Sequence, residues 1–209
     1  MKGVHNWQER LTFLESKINV ETIIDVGVQE CTPYLMKTFP DKKHVLFEMI
    51  VEWEQIIRKN YKDFNYDLYK VGLSDITVET WMVPKPELLQ SSEKSKHLNF
   101  RKFRRKIDYC RLDDIITNEQ EPYLIKIDVD GDELKVLTGA LGTLLKASVV
   151  IVEGRLHGPI NMLSIMNFMS GLHFKLWDMF NLMYHDEGQL EQCELVFLRI
   201  ADYNKASIL

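Results

Sequence analysis

Short apolar runs that stop at a polar or acidic residue alternate along this chain with stretches of helical periodicity, and few folds accommodate that order. The runs are Glu21–Gly27, closing on Asp25-Val26-Gly27; His44–Glu48; Tyr66–Ser74, closing on Leu73-Ser74 and followed by Asp75; Tyr123–Val129, closing on Asp128-Val129; and Ser148–Glu153. Between them the spacing predicts helices over Thr32–Phe39, with Thr32 as N-cap and Pro33 in the first turn, and over Val51–Asn60. Further helices are expected over Leu112–Thr117 and Asp132–Lys146, the last with Leu134, Leu137, Leu141, Leu144 and Leu145 at helical intervals. A Met-rich helix over Ile160–Ser170 stops at Gly171. Strands alternating with helices predict an α/β fold, a parallel sheet with helices on both faces. Strands apolar on both sides agree with that burial.

The flanks depart from the alternation. Residues 4–18 read as a helix, with Trp7, Leu11, Leu14 and Ile18 on one face, so residues 1–19 form an N-terminal addition. Ile76–Val83 reads as a further strand. Residues 84–106 leave the pattern, with two prolines and a Ser pair, and end in a basic segment of Lys94, Lys96, Arg101, Lys102, Arg104, Arg105 and Lys106. Ile107–Cys110 resumes as a short strand. His173–Trp177 and Glu194–Ile200, with Gly188 between them, are expected to close the chain as an antiparallel hairpin.

A length of 209 residues suits one domain over 1–209, large enough to bury its core without a disulfide or a structural metal. With 26 Lys+Arg against 31 Asp+Glu the formal charge is −5, which argues against non-specific nucleic-acid binding by the whole molecule. The longest strongly apolar stretch, Ala147–Val152, is far short of the ~20 residues of a membrane span. The first 20 residues lack the apolar core of a secretory signal. Cys31, Cys110 and Cys193 are odd in number and far apart, which fits free thiols in a reducing compartment, and a cytoplasmic location is expected.

In an open α/β sheet, ligands bind beyond the carboxyl ends of the strands. Asp25-x-Gly27 followed by Glu48, 21 residues after the glycine, is the arrangement in which an acid ending the second strand holds ribose hydroxyls. The loop Val28-Gln29-Glu30-Cys31 has no further glycine to line a pyrophosphate. S-adenosylmethionine (SAM), a sulfonium without phosphate, suits that loop better than a dinucleotide does. A plain strand-to-helix turn at Asp25 and Gly27 is the competing reading.

The second half narrows the choice. Leu112-Asp113-Asp114-Ile115-Ile116, then Ile125-Lys126-Ile127-Asp128-Val129-Asp130-Gly131-Asp132-Glu133-Leu134, then Val136-Leu137-Thr138-Gly139-Ala140 closely resembles the FkbM family of SAM-dependent methyltransferases. That family reads LDD, a K-I-D-V-E-G-x-E run and L-x-G-A. Ile24-Asp25-Val26-Gly27, Phe47-Glu48 and Leu73-Ser74-Asp75 match its first half, so the resemblance covers about residues 20–155. Asp130 replaces the family's Glu, Cys31 its second glycine, Gln29 its Asn or His, and Met49 its proline.

The resemblance implies a Rossmann-like, doubly wound, mostly parallel seven-stranded sheet with the closing hairpin antiparallel. It implies SAM as cofactor and methyl transfer to a hydroxyl of a sugar or glycan. Position and resemblance together place Asp25, Gly27, Val28, Gln29, Glu48, Met49, Leu73 and Ser74 at the cofactor. Asp128 is the expected catalytic residue, with His157 and then Glu153 as the proton acceptor. Lys126, one pleat before Asp128, reads as a structural partner for a carboxylate. A divalent metal on Asp128, Asp130 and Glu133 is the less favoured route. Arg101, Arg104 and Arg105 of the basic segment are expected to grip the acceptor. The competing functions are an RNA ribose O-methyltransferase, suggested by the basic segment, and a non-catalytic SAM-fold binding module, suggested by Cys31. Domains of this kind also ride on larger glycan-building proteins, which is a further expectation for the setting of this chain.

Overall fold

The computed structural model describes residues 6–82, 105–158, 161–186 and 188–206. Helix α1 (Trp7–Glu15) opens on Asn6, whose side chain accepts from Glu9 N, and buries Leu11 and Leu14. Strand β1 (Thr22–Val26) is buried throughout. Helix α2 (Pro33–Thr38) starts where Pro33 predicts, but the Thr32 hydroxyl makes no cap bond. Strand β2 (Lys43–Phe47), a short 3-10 turn over Val51–Trp53, helix α3 (Glu54–Asn60) and strand β3 (Tyr66–Tyr69) follow.

The apolar run Tyr66–Ser74 is not one strand. Its second half, β4 (Gly72–Leu73), leaves β3 and pairs with β6 (Arg105–Cys110), which also pairs with β5 (Val78–Met82). These make a separate three-stranded sheet, β4-β6-β5. Helix α4 (Leu112–Ile115) leads to β7 (Tyr123–Ile127). The expected helix over Asp132–Lys146 is two pieces, α5 (Glu133–Thr138) and α6 (Leu141–Leu144), separated at Gly139-Ala140. A side chain at 139 would place its Cβ 2.0 Å from the Ser74 carbonyl oxygen, so the backbone passes too close to that loop for any residue but glycine. The break turns Leu141 and Leu145 out to solvent, whereas Leu137 and Leu144 stay in the core.

Strand β8 (Ala147–Arg155), helix α7 (Met162–Gly171), β9 (Phe174–Tyr184), β10 (Leu190–Arg199) and α8 (Ile200–Ala206) complete the chain. Strand β9 runs well past Trp177. As an edge strand with a largely solvated face it carries polar residues such as Asp178 and Asn181, which hide it from an apolar-run reading. Helix α8 stands where the expected last strand ends.

The main sheet has seven strands in the order β3-β2-β1-β7-β8-β10-β9. β3, β2, β1, β7 and β8 are parallel, and β10 is antiparallel to both of its neighbours. One core fills the face of α5 and α7, with Ile24, Ile125, Ile127, Val150 and Val152. Another fills the face of α1 and α2, with Ile23, Leu124, Val149, Ile151 and Val196. The order reverses between β1 and β7, the crevice at which an open sheet of this kind takes its ligand. Among the described residues no helix is long and apolar enough to cross a membrane.

Candidate active site

Two clefts open at the carboxyl edge of the sheet, one on each side of the loop after β1. That loop is forced close to its neighbour. Asp128 N donates to Val26 O (3.0 Å), and a Cβ at position 27 would lie 1.8 Å from the Asp128 carbonyl oxygen, so Gly27, at φ +81°, has no substitute.

The first cleft has an empty volume of about 580 Å³. Its walls include Phe47, Glu48, Met49 and Trp53 on the β2 side, Gly72, Leu73 and Tyr109 from the small sheet, and Gln29, Asp128 and Asp130. Glu48 is buried, and its carboxylate organises the rim: Oε2 accepts from Gln29 N (2.8 Å) and Oε1 from Ile50 N (2.7 Å). Burial pushes its pKa up to about 7, against the lowering effect of those two amides and of Lys126. Each oxygen keeps a second lone pair for a ligand hydroxyl. The Tyr109 hydroxyl reaches Met49 Sδ (3.5 Å), so the residue that replaces the family's proline is part of the wall. Ser74 is buried behind Leu73 and donates to Asp75 Oδ1 (3.0 Å).

The second cleft brings charged side chains into a mixed wall. Gly27, Val28, Gln29, Glu30, Cys31 and Thr32 form one side, and Tyr34, Lys126, Asp128 and Glu194 the other. Alternation along each strand explains the chemistry: Ile23, Leu124, Ile151 and Val196 fill the core on the α1/α2 face, and the next residues on that face are Asp25, Lys126, Glu153 and Glu194. Asp25 pairs in register with Lys126, and Glu153 with Glu194.

Lys126 is the centre of this group. Its ammonium lies 3.2 Å from Asp128 Oδ2, 3.3 Å from Gly27 O and 3.7 Å from Asp25 Oδ1. Burial alone would lower its pKa, but Asp128, Asp25 and Glu194 outweigh burial and raise it, so the ammonium stays charged. Asp25 is wholly buried and both its oxygens lack a hydrogen-bond partner. It lines neither cleft, and the Lys126 ammonium and the Tyr61 side chain are near it.

The other expected site residues separate. Asp128 lines both clefts. Asp130, at φ +57°, pairs with Arg155 (2.9 Å). Glu133 is buried and accepts from Gly131 N (2.9 Å), which ties the loop to the start of α5. Asp130 and Glu133 are thus engaged elsewhere, and among the described residues no three His, Cys, Asp or Glu converge as a metal site. The donor set does not fit a divalent ion on Asp128, Asp130 and Glu133.

Glu153 Oε1 accepts from Gln192 (2.6 Å), while Oε2 has no hydrogen-bond partner and lies 3.7 Å from Arg155. Burial, then Asp128, pushes its pKa up to about 8. His157 is exposed, faces Gln189 (2.7 Å) at the β9–β10 turn and lines neither cleft. Arg101 and Arg104 lie outside the described residues, and so does the side chain of Arg105.

Tyr34, Tyr109, Trp53 and Glu194 join the site without being singled out by the sequence, and Lys126 takes a more central place than a structural partner would. A signal for Glu194 does exist: it is an acid inside the otherwise apolar stretch Cys193–Leu198, where a buried strand has no packing use for a charge.

A model of the methyltransferase FkbM domain matches residues 25–176. No curated protein matches the chain. Among solved structures, methyltransferase FkbM from Methylobacillus flagellatus KT is 18% identical with a TM-score of 0.56, over 86% of this chain and 43% of that one. An rRNA methylase from Streptococcus thermophilus is 10% identical with a TM-score of 0.54, over 96% and 99%. A putative RNA methyltransferase from Pyrococcus horikoshii is 10% identical with a TM-score of 0.50, over 92% and 80%. At these identities the likeness is one of fold, and the chain spans less than half of the Methylobacillus protein.

Proposed function

The chain belongs to the FkbM family of SAM-dependent methyltransferases, and from that premise we propose that it methylates a hydroxyl oxygen of a sugar or glycan. The observation that carries this reading is the position of Asp128, which lines both clefts, one walled by Phe47, Met49, Trp53 and Leu73 beside Glu48, the other by Tyr34, Lys126 and Glu194. The first cleft suits the nucleoside of SAM. Phe47, Met49, Trp53 and Leu73 offer an apolar slot for a purine, and Glu48 has free lone pairs for a ribose diol. The bound cofactor supplies an electrophilic methyl group on a sulfonium that leaves readily.

The chain's own task is then to align the acceptor oxygen and remove its proton. Carboxylates suit a hydroxyl-rich neutral acceptor, which they orient by accepting hydrogen bonds. A phosphate placed inside the second cleft would face Asp128 and Glu194 and be repelled. Asp128 is assigned to the junction of cofactor and acceptor, Lys126 fixes it there, and Glu153 lies beside it on the same sheet face.

Incubation with methyl-labelled SAM and a panel of free sugars, nucleotide sugars, oligosaccharides and RNAs tests the reading. Label is expected in a sugar-containing acceptor, as an alkali-stable ether. Label in RNA alone would replace this acceptor with RNA, for which the basic segment would then account.

A further inference from the structure

A buried carboxylate inside an apolar strand costs folding free energy unless it is paired or has a use. Glu194 sits in β10 between Cys193 and Leu195, both buried, opposite Glu153 on β8 and Phe180 on β9. Only 9% of the residue is exposed, and what is exposed faces the second cleft. Its Oε1 accepts from the Tyr34 hydroxyl (3.0 Å), and its Oε2 has no hydrogen-bond partner. Lys126, the nearby cation, has its close contacts with Asp128, Gly27 O and Asp25 instead. A carboxylate present for packing or for ion pairing has no need of a place in the wall of a cleft with one buried oxygen left without a hydrogen-bond partner.

We propose that the second cleft receives the acceptor and that Glu194, held by Tyr34, takes the proton from the acceptor hydroxyl; this rests on the O-methylation reading above. In the step, the acceptor oxygen bonds the methyl carbon, the carbon–sulfur bond gives its electron pair to sulfur, and the hydroxyl proton ends on the Glu194 carboxylate. A sulfonium, an alcohol and a carboxylate become a thioether, an ether and a carboxylic acid, so charge and atoms balance. Tyr34 is matched to this role. Burial, then the charge of Glu194, raises its pKa well above the ordinary phenol value, so it remains a hydrogen-bond donor to the carboxylate. Burial also raises the pKa of Glu194, against Lys126, Tyr34 and the neighbouring Asn181 side chain, which makes it a stronger base than a surface glutamate.

The test needs no identified acceptor. Sinefungin carries an amine where SAM carries its transferable methyl, whereas S-adenosylhomocysteine carries nothing there. Calorimetry with both compounds on the wild-type protein, Glu194→Gln, Glu194→Asp and Tyr34→Phe reads whether Glu194 faces that position. The wild type is expected to prefer sinefungin. Glu194→Gln removes the negative charge that would pair with the amine, and should cut the preference by about tenfold while S-adenosylhomocysteine affinity stays within about twofold. Glu194→Asp should recover part of the preference, and Tyr34→Phe should reduce it several-fold; these two carry the test if the glutamine variant does not fold.

A preference unchanged by the variants, or absent from the wild type, overturns the proposal. A fall in S-adenosylhomocysteine affinity of about tenfold in a folded Glu194→Gln would move Glu194 to the amino-acid end of the cofactor and overturn it equally. If the wild type binds neither compound, the reading of the first cleft falls and the proposal with it.

Discussion

Glu48 shows how one residue joins folding to binding. Its two oxygens hold Gln29 N and Ile50 N, so it fixes the loops on both sides of the first cleft before any ligand arrives. Burial raises its pKa from 4.5 to about 7. The folded state therefore holds this proton more tightly than the unfolded state does. Its contribution to stability is full below pH 4.5 and is lost as pH rises to about 7. On the proposed placement of the ribose at Glu48, binding has the opposite sign, because hydroxyls donating to the ionised carboxylate favour it. S-adenosylhomocysteine affinity is thus expected to rise by up to about tenfold as pH passes through 7, one pKa unit being worth ~1.4 kcal/mol. Glu48→Gln should flatten that profile in calorimetry. It should also weaken binding at pH 8 by about tenfold or more, the scale of a missing hydrogen bond to a charged group. An unaltered affinity would remove Glu48 from the ribose.

At the scale of elements, Asp113 explains why two distant pieces of the family-like pattern travel together. Its carboxylate crosses from α4 to the start of α6 and accepts from Gly142 N (2.9 Å), Thr143 N (2.7 Å) and Thr143 Oγ1 (2.7 Å). Asp113 N donates to Gly139 O (3.1 Å), at the break between α5 and α6. The cap lets a single turn of helix start after the interruption, and the interruption lets the backbone pass Ser74. Asp113→Ala should cost about 1–2 kcal/mol, the range for removing a helix cap, read as a lowered urea midpoint with an unchanged slope. The alternation of strands and helices along the chain, the closing hairpin and the carboxyl-edge acids are legible in the sequence because period and polarity mark them locally. The break in the leucine-rich helix is not, because periodicity continues through Gly139 and only the approach of the Ser74 loop forbids a side chain there. The departure of β4 from β3 is equally non-local, set by pairing with β6 some 37 residues away. The same holds at the site. Glu48 and Asp128 end strands and announce themselves, whereas Tyr34 and Glu194 meet across 160 residues.

Over the whole molecule, the charges pose a problem that the local site does not answer. The chain carries −5, and its carboxyl edge gathers Asp25, Asp128, Asp130, Glu153 and Glu194 against Lys126 and Arg155. An anionic ligand would be repelled there. Yet residues 94–106 hold seven basic side chains and no acid. That segment runs in sequence into β6, which contributes Tyr109 to the first cleft. If the sugar acceptor proposed above also carries an anionic group, such as a phosphate, held outside the second cleft, the two charge regions are reconciled. On this argument, replacing Arg101, Arg104 and Arg105 together by alanine should raise the acceptor KM by about tenfold or more, leave kcat near its original value and leave S-adenosylhomocysteine affinity unchanged. The KM should also rise with salt in the parent protein and less so in the variant, because screening and neutralisation remove the same attraction. A KM indifferent to both changes would mean an acceptor without charge, read by the acidic cleft alone.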